Sequence, residues 1–109
     1  MKKLLLTTIL MVSFTANASV VSAYLHHDDY YCVSDHLVFE TSMGYVTAEW
    51  YLGTLYSDNY FYGDFNSYGF KDVYSSQQDA ENEENRRGRI WIDDYMLSRS
   101  SAMEWCQAD

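Results

Sequence analysis

"YVTAEWYL", residues Tyr45 to Leu52, alternates its side chains at a period of two. Val46, Ala48, Trp50 and Leu52 fall on one face of an extended chain and Tyr45, Thr47, Glu49 and Tyr51 on the other, because successive Cβ atoms of a strand point to opposite sides. Aromatic and β-branched residues suit such a pleated, half-buried surface. The stretch reads as a strand, with the first set as core. Ser42-Met43-Gly44 just before it is a turn, and "HLVFET", His36 to Thr41, is the preceding strand. An antiparallel sheet is therefore the nucleus of the expected fold.

Working outward, Val20 to Leu25 supplies an earlier short strand. "RIWID", from Arg89, supplies a later one, with Ile90 and Ile92 facing one way and Trp91 the other. Tyr60 to Phe65 and Phe70 to Tyr74 read as the arms of a hairpin joined through Asn66-Ser67-Tyr68-Gly69, residue types that turns favour. Ser75 to Arg87, "SSQQDAENEENRR", contains no large apolar residue with which to bury a face. It reads as a loop in preference to a solvated helix capped by Ser76 and Asp79. Ser98 to Gln107 carries a Ser101-x-x-Glu104 capping pattern and sets Ala102, Met103 and Cys106 on one helical face, which looks inward. The expected class is α+β, mainly β: a small antiparallel sheet or partly open barrel with a short C-terminal helix.

The first residues carry an address. Lys2 and Lys3 precede the apolar run Leu4 to Phe14, and Ala16-Asn17-Ala18 ends it with small residues, which is the pattern of a secretory signal peptide. The run is too short for a membrane span, which needs about 20 apolar residues. Residues 1–18 are thus expected to be removed, leaving a single domain from 19 to 109 in the periplasm or outside the cell. Val21-Ser22-Ala23 offers a second, later cleavage site.

Two cysteines, Cys32 and Cys106, remain in that exported chain, and an oxidising compartment pairs them. On the chain-entropy account, closing so long a loop stabilises a small domain by about 4 kcal/mol. There is no Cys-x-x-Cys of a redox enzyme.

Charge and composition narrow the partners. Sixteen acidic residues face seven lysines and arginines, a balance of −9, and loss of Lys2 and Lys3 takes it to −11. A polyanion is repelled by such a field and there is no basic stripe to bind nucleic acid, whereas a basic protein is attracted. Eleven tyrosines and three tryptophans are more than a small core needs. Such rings are enriched at interfaces. Tyr60, Tyr62, Tyr68 and Tyr74, with Asp58, Asp64 and Asp72 around them, are the candidate binding surface, suited to a basic protein or a sugar.

Asp64, Asn66, Gly69 and Asp72 also match positions 1, 3, 6 and 9 of a twelve-residue calcium loop. Tyr68 at position 5 and Ser75 at position 12 replace ligands, so a plain turn is expected there. His26-His27-Asp28-Asp29 holds metal-ligating types, but neighbours on an extended chain point apart and no metal site or cofactor is expected. Asp93-Asp94 and Glu104 are the carboxylates of a hydrolase reading. Arg86, Arg87 and Arg89 face Glu81, Glu83 and Glu84 as charge-neutralising partners.

With Tyr31-Cys32 early and Cys106 near the end of an acidic β-rich chain, the layout resembles small periplasmic lysozyme inhibitors, which are β-barrels. The Ser-Gly-x-x-Tyr inhibitory motif of that family has no match in this sequence, so no functional residue is carried over. The expected function is a non-enzymatic exported binding protein, an inhibitor or immunity-type factor for a basic protein. A carbohydrate or cell-wall binding module is the alternative, and a small hydrolase the second alternative.

Overall fold

The computed structural model describes residues 20–26 and 32–108. The expected signal peptide, and His27, Asp28, Asp29 and Tyr31, lie outside the described residues. Six strands and two helices occur among them: β1 (Val21–Leu25), β2 (His36–Thr41), β3 (Gly44–Gly53), β4 (Asn59–Gly63), β5 (Gly69–Val73), α1 (Gln77–Asn82), β6 (Gly88–Leu97) and α2 (Arg99–Gln107). The strands form one antiparallel sheet in the order β4-β1-β2-β3-β6-β5. It curls into a half-barrel, as the mainly β expectation with a C-terminal helix requires.

The concave face encloses the core. Ala23 and Leu25 of β1, Phe39 of β2, Val46 and Ala48 of β3, Phe61 of β4, Val73 of β5, and Ile90 and Ile92 of β6 are buried together with Phe65. Phe39 packs against Phe65 at 4.9 Å between ring centroids. These positions recur at every second residue along each strand, which is the pattern that distinguishes the buried face of a sheet. The turn between β2 and β3 is fixed by Thr41, whose Oγ1 donates to the Gly44 carbonyl and accepts the amide of Met43.

Trp50 departs from its expected core position and is largely exposed. The last β2 partner of β3 is His36, opposite Glu49; past it the Trp50 amide still donates to the Asp35 carbonyl at 2.7 Å, but the strand β2 that would cover the indole has ended. A register shift between Trp50 and Leu52 further disturbs the alternation. The indole instead donates its Nε1 hydrogen to the Gly53 carbonyl at 3.0 Å.

The expected hairpin between β4 and β5 is splayed. β4 pairs with β1 and β5 with β6, placing the two arms at opposite edges of the sheet. They meet in one bridge, Tyr62 to Tyr74, where each amide donates to the other's carbonyl at 2.8 and 2.9 Å. Curvature brings the two edges together there. The ion pair of Lys71 Nζ with Asp64 Oδ2, 3.1 Å, also links the two arms.

Ser75 to Arg87 is not wholly a loop. Gln77–Asn82 is the helix α1, and Ser76 caps it by accepting the amide hydrogen of Asp79. Ala80 is its buried residue, small enough to seat a single helical turn where a larger apolar side chain was thought necessary. In α2 the cap is Ser98, three residues before the expected Ser101, and its Oγ accepts the Ser101 amide hydrogen. Ala102 and Cys106 are buried and Met103 half-buried, as the helical spacing predicts.

The Cys32–Cys106 disulfide forms, across a separation of 74 residues, and pins α2 to the start of the sheet. α2 lies on the convex face of β2 and β3, where Val38, Tyr45 and both cysteines pack against Ala102 and Met103. At its far end the His36 and Trp105 rings stack at 3.8 Å, and His36 Nδ1 lies 3.2 Å from the Trp105 carbonyl. No helix among the described residues is long and apolar enough to cross a membrane.

Candidate functional site: a bare aromatic strip

The helix covers only part of the convex face. Beyond Thr47, β3 turns Glu49 and Tyr51 outward with no described residue covering them, and β6 and β5 do the same with Trp91 and Phe70. Phe70 stands directly opposite Trp91, and Glu49 opposite Trp91 on the other side. Cross-strand partners at this spacing bring their rings into contact. Phe70 and Trp91 meet at 4.8 Å with planes 80° apart, and Tyr51 and Phe70 at 4.8 Å and 67°. Edge-to-face packing of this kind aligns the positive rim of one ring with the negative face of the next.

These three rings remain open to solvent: Tyr51 is 56% exposed, Phe70 44% and Trp91 41%. Isolated exposed rings are ordinary, and a contiguous row of them is a candidate interaction surface. The strip's rim is acidic. Glu49 flanks Trp91 across the sheet, and Asp93 follows it along β6, both exposed and neither with an ion-pair partner among the described residues. Asp72 lies beyond Phe70, bound by Arg86 Nη1 at 3.1 Å and Arg89 Nη1 at 3.7 Å. The Arg89 guanidinium also sits 5.1 Å from the centre of the Phe70 ring, a cation–π contact that fixes the ring's orientation.

The tyrosines singled out by the sequence do not share this surface, or any one surface. Tyr74 is only 6% exposed, being held at the bridge, and Tyr62 is half-buried beside it. Burial is the first cause of the raised pKa of Tyr74, with Asp72 and Glu83 adding to it and Arg86 opposing it. Tyr60 and Tyr68 are exposed at opposite ends of the splayed hairpin. Tyr60 packs on Tyr24 at 5.2 Å, while Tyr68 packs on Tyr95 at 4.8 Å and donates its hydroxyl to Asp94 at 3.3 Å. The negative charge of Asp94, then burial and this hydrogen bond, raise the Tyr68 pKa.

The acidic members of the suspected calcium loop are engaged by cations. Asp64 receives Lys71 and the Ser67 hydroxyl at 2.8 Å, and Asp72 receives the two arginines. Among the described residues no three His, Cys, Asp or Glu side chains converge to hold a metal ion. Asp94 is used internally, accepting the Tyr95 amide as well as the Tyr68 hydroxyl, while Asp93 points to solvent. Glu104 is exposed on α2. Of the basic cluster, Arg86 and Arg89 pair with Asp72 of β5, and among the described residues no ion pair links the cluster to Glu81, Glu83 or Glu84.

Sequence alternation placed Trp91 outward, but nothing in it joined Trp91 to Phe70 and Tyr51. Their union depends on the strand order β3-β6-β5. A comparison with known protein families, with curated proteins and with solved structures finds no match for this chain.

Proposed function

We propose that the chain is an exported, non-enzymatic binding protein that engages a basic protein through Tyr51, Phe70 and Trp91 and the carboxylates around them. The observation that carries this reading is the exposed aromatic strip with unpaired Glu49 and Asp93 at its rim. Large rings supply contact area at low entropic cost, and the acidic rim steers a cationic partner and fixes its register. The net charge of −9 over the full sequence acts in the same sense at long range.

A protein partner fits the strip better than a sugar does. Stacking several rings along an oligosaccharide calls for faces in a common plane, whereas these planes stand 67° and 80° apart. Export is supported by the disulfide, which persists in oxidising compartments. It is supported also by the leader-like residues 1–18. Cleavage after Ala18 leaves β1 whole; cleavage after Ala23 deletes three of its five residues, the fully buried Ala23 among them. This supports a mature chain that begins at Ser19.

Binding of the oxidised protein to a panel of basic proteins, lysozyme among them, tests the reading by biosensor at rising salt. The expected result is a partner whose affinity falls with ionic strength and is lost in Trp91→Ala and weakened in Glu49→Gln. Absence of any salt-sensitive partner, or a partner indifferent to Trp91, overturns it.

A further inference from the structure

A second surface lies across the opposite half of the convex face, on β4, β1 and β2. Tyr60, Tyr24 and Glu40 stand in one cross-strand row, Tyr60 opposite Tyr24 and Tyr24 opposite Glu40. Two residues back along β1 is Ser22 and two residues beyond Glu40 is Ser42, both small and exposed. The small Ser22 and Ser42 beside the large side chains of that row leave a trough of about 370 Å³. That size is within the range of small-ligand sites, which begin at about 300 Å³.

The trough's edges are held in place. Tyr24 donates its hydroxyl to Asp58 at 2.8 Å, and His26 Nε2 lies 2.8 Å from Glu40 Oε1 while its ring meets Tyr24 edge-on at 5.1 Å. Thr41, at one end, is committed to the β2–β3 turn. By contrast the Ser22 and Ser42 hydroxyls, the second oxygen of Glu40 and the Tyr60 hydroxyl have no partner among the described residues. The Tyr60 ring stands open beside them.

We infer that the trough formed by Tyr60, Tyr24, Glu40, Ser22 and Ser42 binds a neutral saccharide unit. An aromatic face accepts the C–H side of a sugar ring, and its hydroxyls need groups that both donate and accept, which the serines and the phenol supply and a carboxylate completes. An anionic ligand is repelled by Glu40 and Asp58. A simple cation satisfies Glu40 and leaves both serines and most of the volume unused. The site shares no residue with the Tyr51–Phe70–Trp91 strip and does not depend on it.

The test is an amide-resonance titration of the folded, oxidised protein with cellobiose, maltose and N,N′-diacetylchitobiose, with free arginine as a control. At least one sugar is expected to give saturable shifts at Ser22, Tyr24, Glu40, Ser42 and Tyr60. Its Kd is expected to rise about tenfold in Tyr60→Ala and in Glu40→Gln, and to be unchanged in Trp91→Ala. Tyr60 is exposed and Glu40→Gln preserves shape, so both variants keep the fold. No saturable shift with any of the three sugars overturns the assignment, as do shifts that survive both substitutions. Binding of arginine alone overturns it by making the trough a cation site.

Discussion

β3 passes through two environments on one face of one sheet. Its first half, at Tyr45 and Thr47, lies under α2, and three consecutive residues, Val46, Thr47 and Ala48, are buried because both sides of the strand are covered there. Its second half, at Glu49 and Tyr51, has no cover and is exposed. The covered half carries Val38, Ala102 and a disulfide, which are devices of stability. The bare half carries aromatic rings that the core does not need. Apolar surface left open beside a helix that has been covalently tied down elsewhere is surface that folding does not use.

The sharpest way to break this contrast is to untie the covered half. Replacing both cysteines, Cys32→Ala with Cys106→Ala, is expected to cost up to about 4 kcal/mol in denaturant unfolding, the chain-entropy value for a loop of this length. Partner binding by the strip should survive wherever the protein remains folded. Val38→Ala, which leaves a cavity beneath α2, comes next at about 2 kcal/mol. Ser98→Ala removes the α2 cap and should cost about 1 kcal/mol, whereas Ser101→Ala, at the cap position expected from sequence, should cost less.

Trp91→Ala on the bare half reverses the pattern. Its effect on stability should be no more than about 1 kcal/mol, the worth of its ring contact with Phe70, while partner binding is lost. A large loss of stability with binding intact would make the strip a structural element instead.

The smallest effect separates buried from charge-perturbed tyrosines in an alkaline absorbance titration. Tyr24, Tyr68 and Tyr74 all have raised pKa values in the native state. Each such group holds its proton more tightly when folded, so its stabilising contribution is present below the unfolded value near 10.0 and is lost as pH rises through the folded value. Tyr24 is raised first by its hydrogen bond to Asp58 and Tyr68 first by the charge of Asp94. Asp58→Asn and Asp94→Asn should therefore advance one titrating phenol each and leave the late step of Tyr74 in place; Tyr74→Phe should remove that step.

Where local pattern decides structure, the sequence was sufficient. Alternation located β2, β3 and β6 with Ile90 and Ile92 inward, and helical spacing placed Cys106 against the core near Cys32. The misplacements arose where distant chain segments decide. Trp50 has the right parity for the core but stands past the end of its β2 neighbour, a fact fixed by strand length. Tyr60 to Tyr74 looked like a hairpin because its turn chemistry is sound, yet curvature of the whole sheet separates its arms. The aromatic excess was legible as an excess, but residues 51, 70 and 91 become one surface only through the order of three strands. Counting rings could not reveal it.

The sulfur bridge also makes nearly the whole domain a closed covalent circuit, running from Cys32 to Cys106. Glu83 to Arg87 is exposed throughout and includes the paired cations Arg86 and Arg87, an inviting target for a trypsin-like enzyme. One scission there opens the circuit without dividing the molecule, since the fragments on either side stay joined through sulfur and through the β3–β6 pairing. In a protease-rich surrounding, a chain built this way outlasts its first injury.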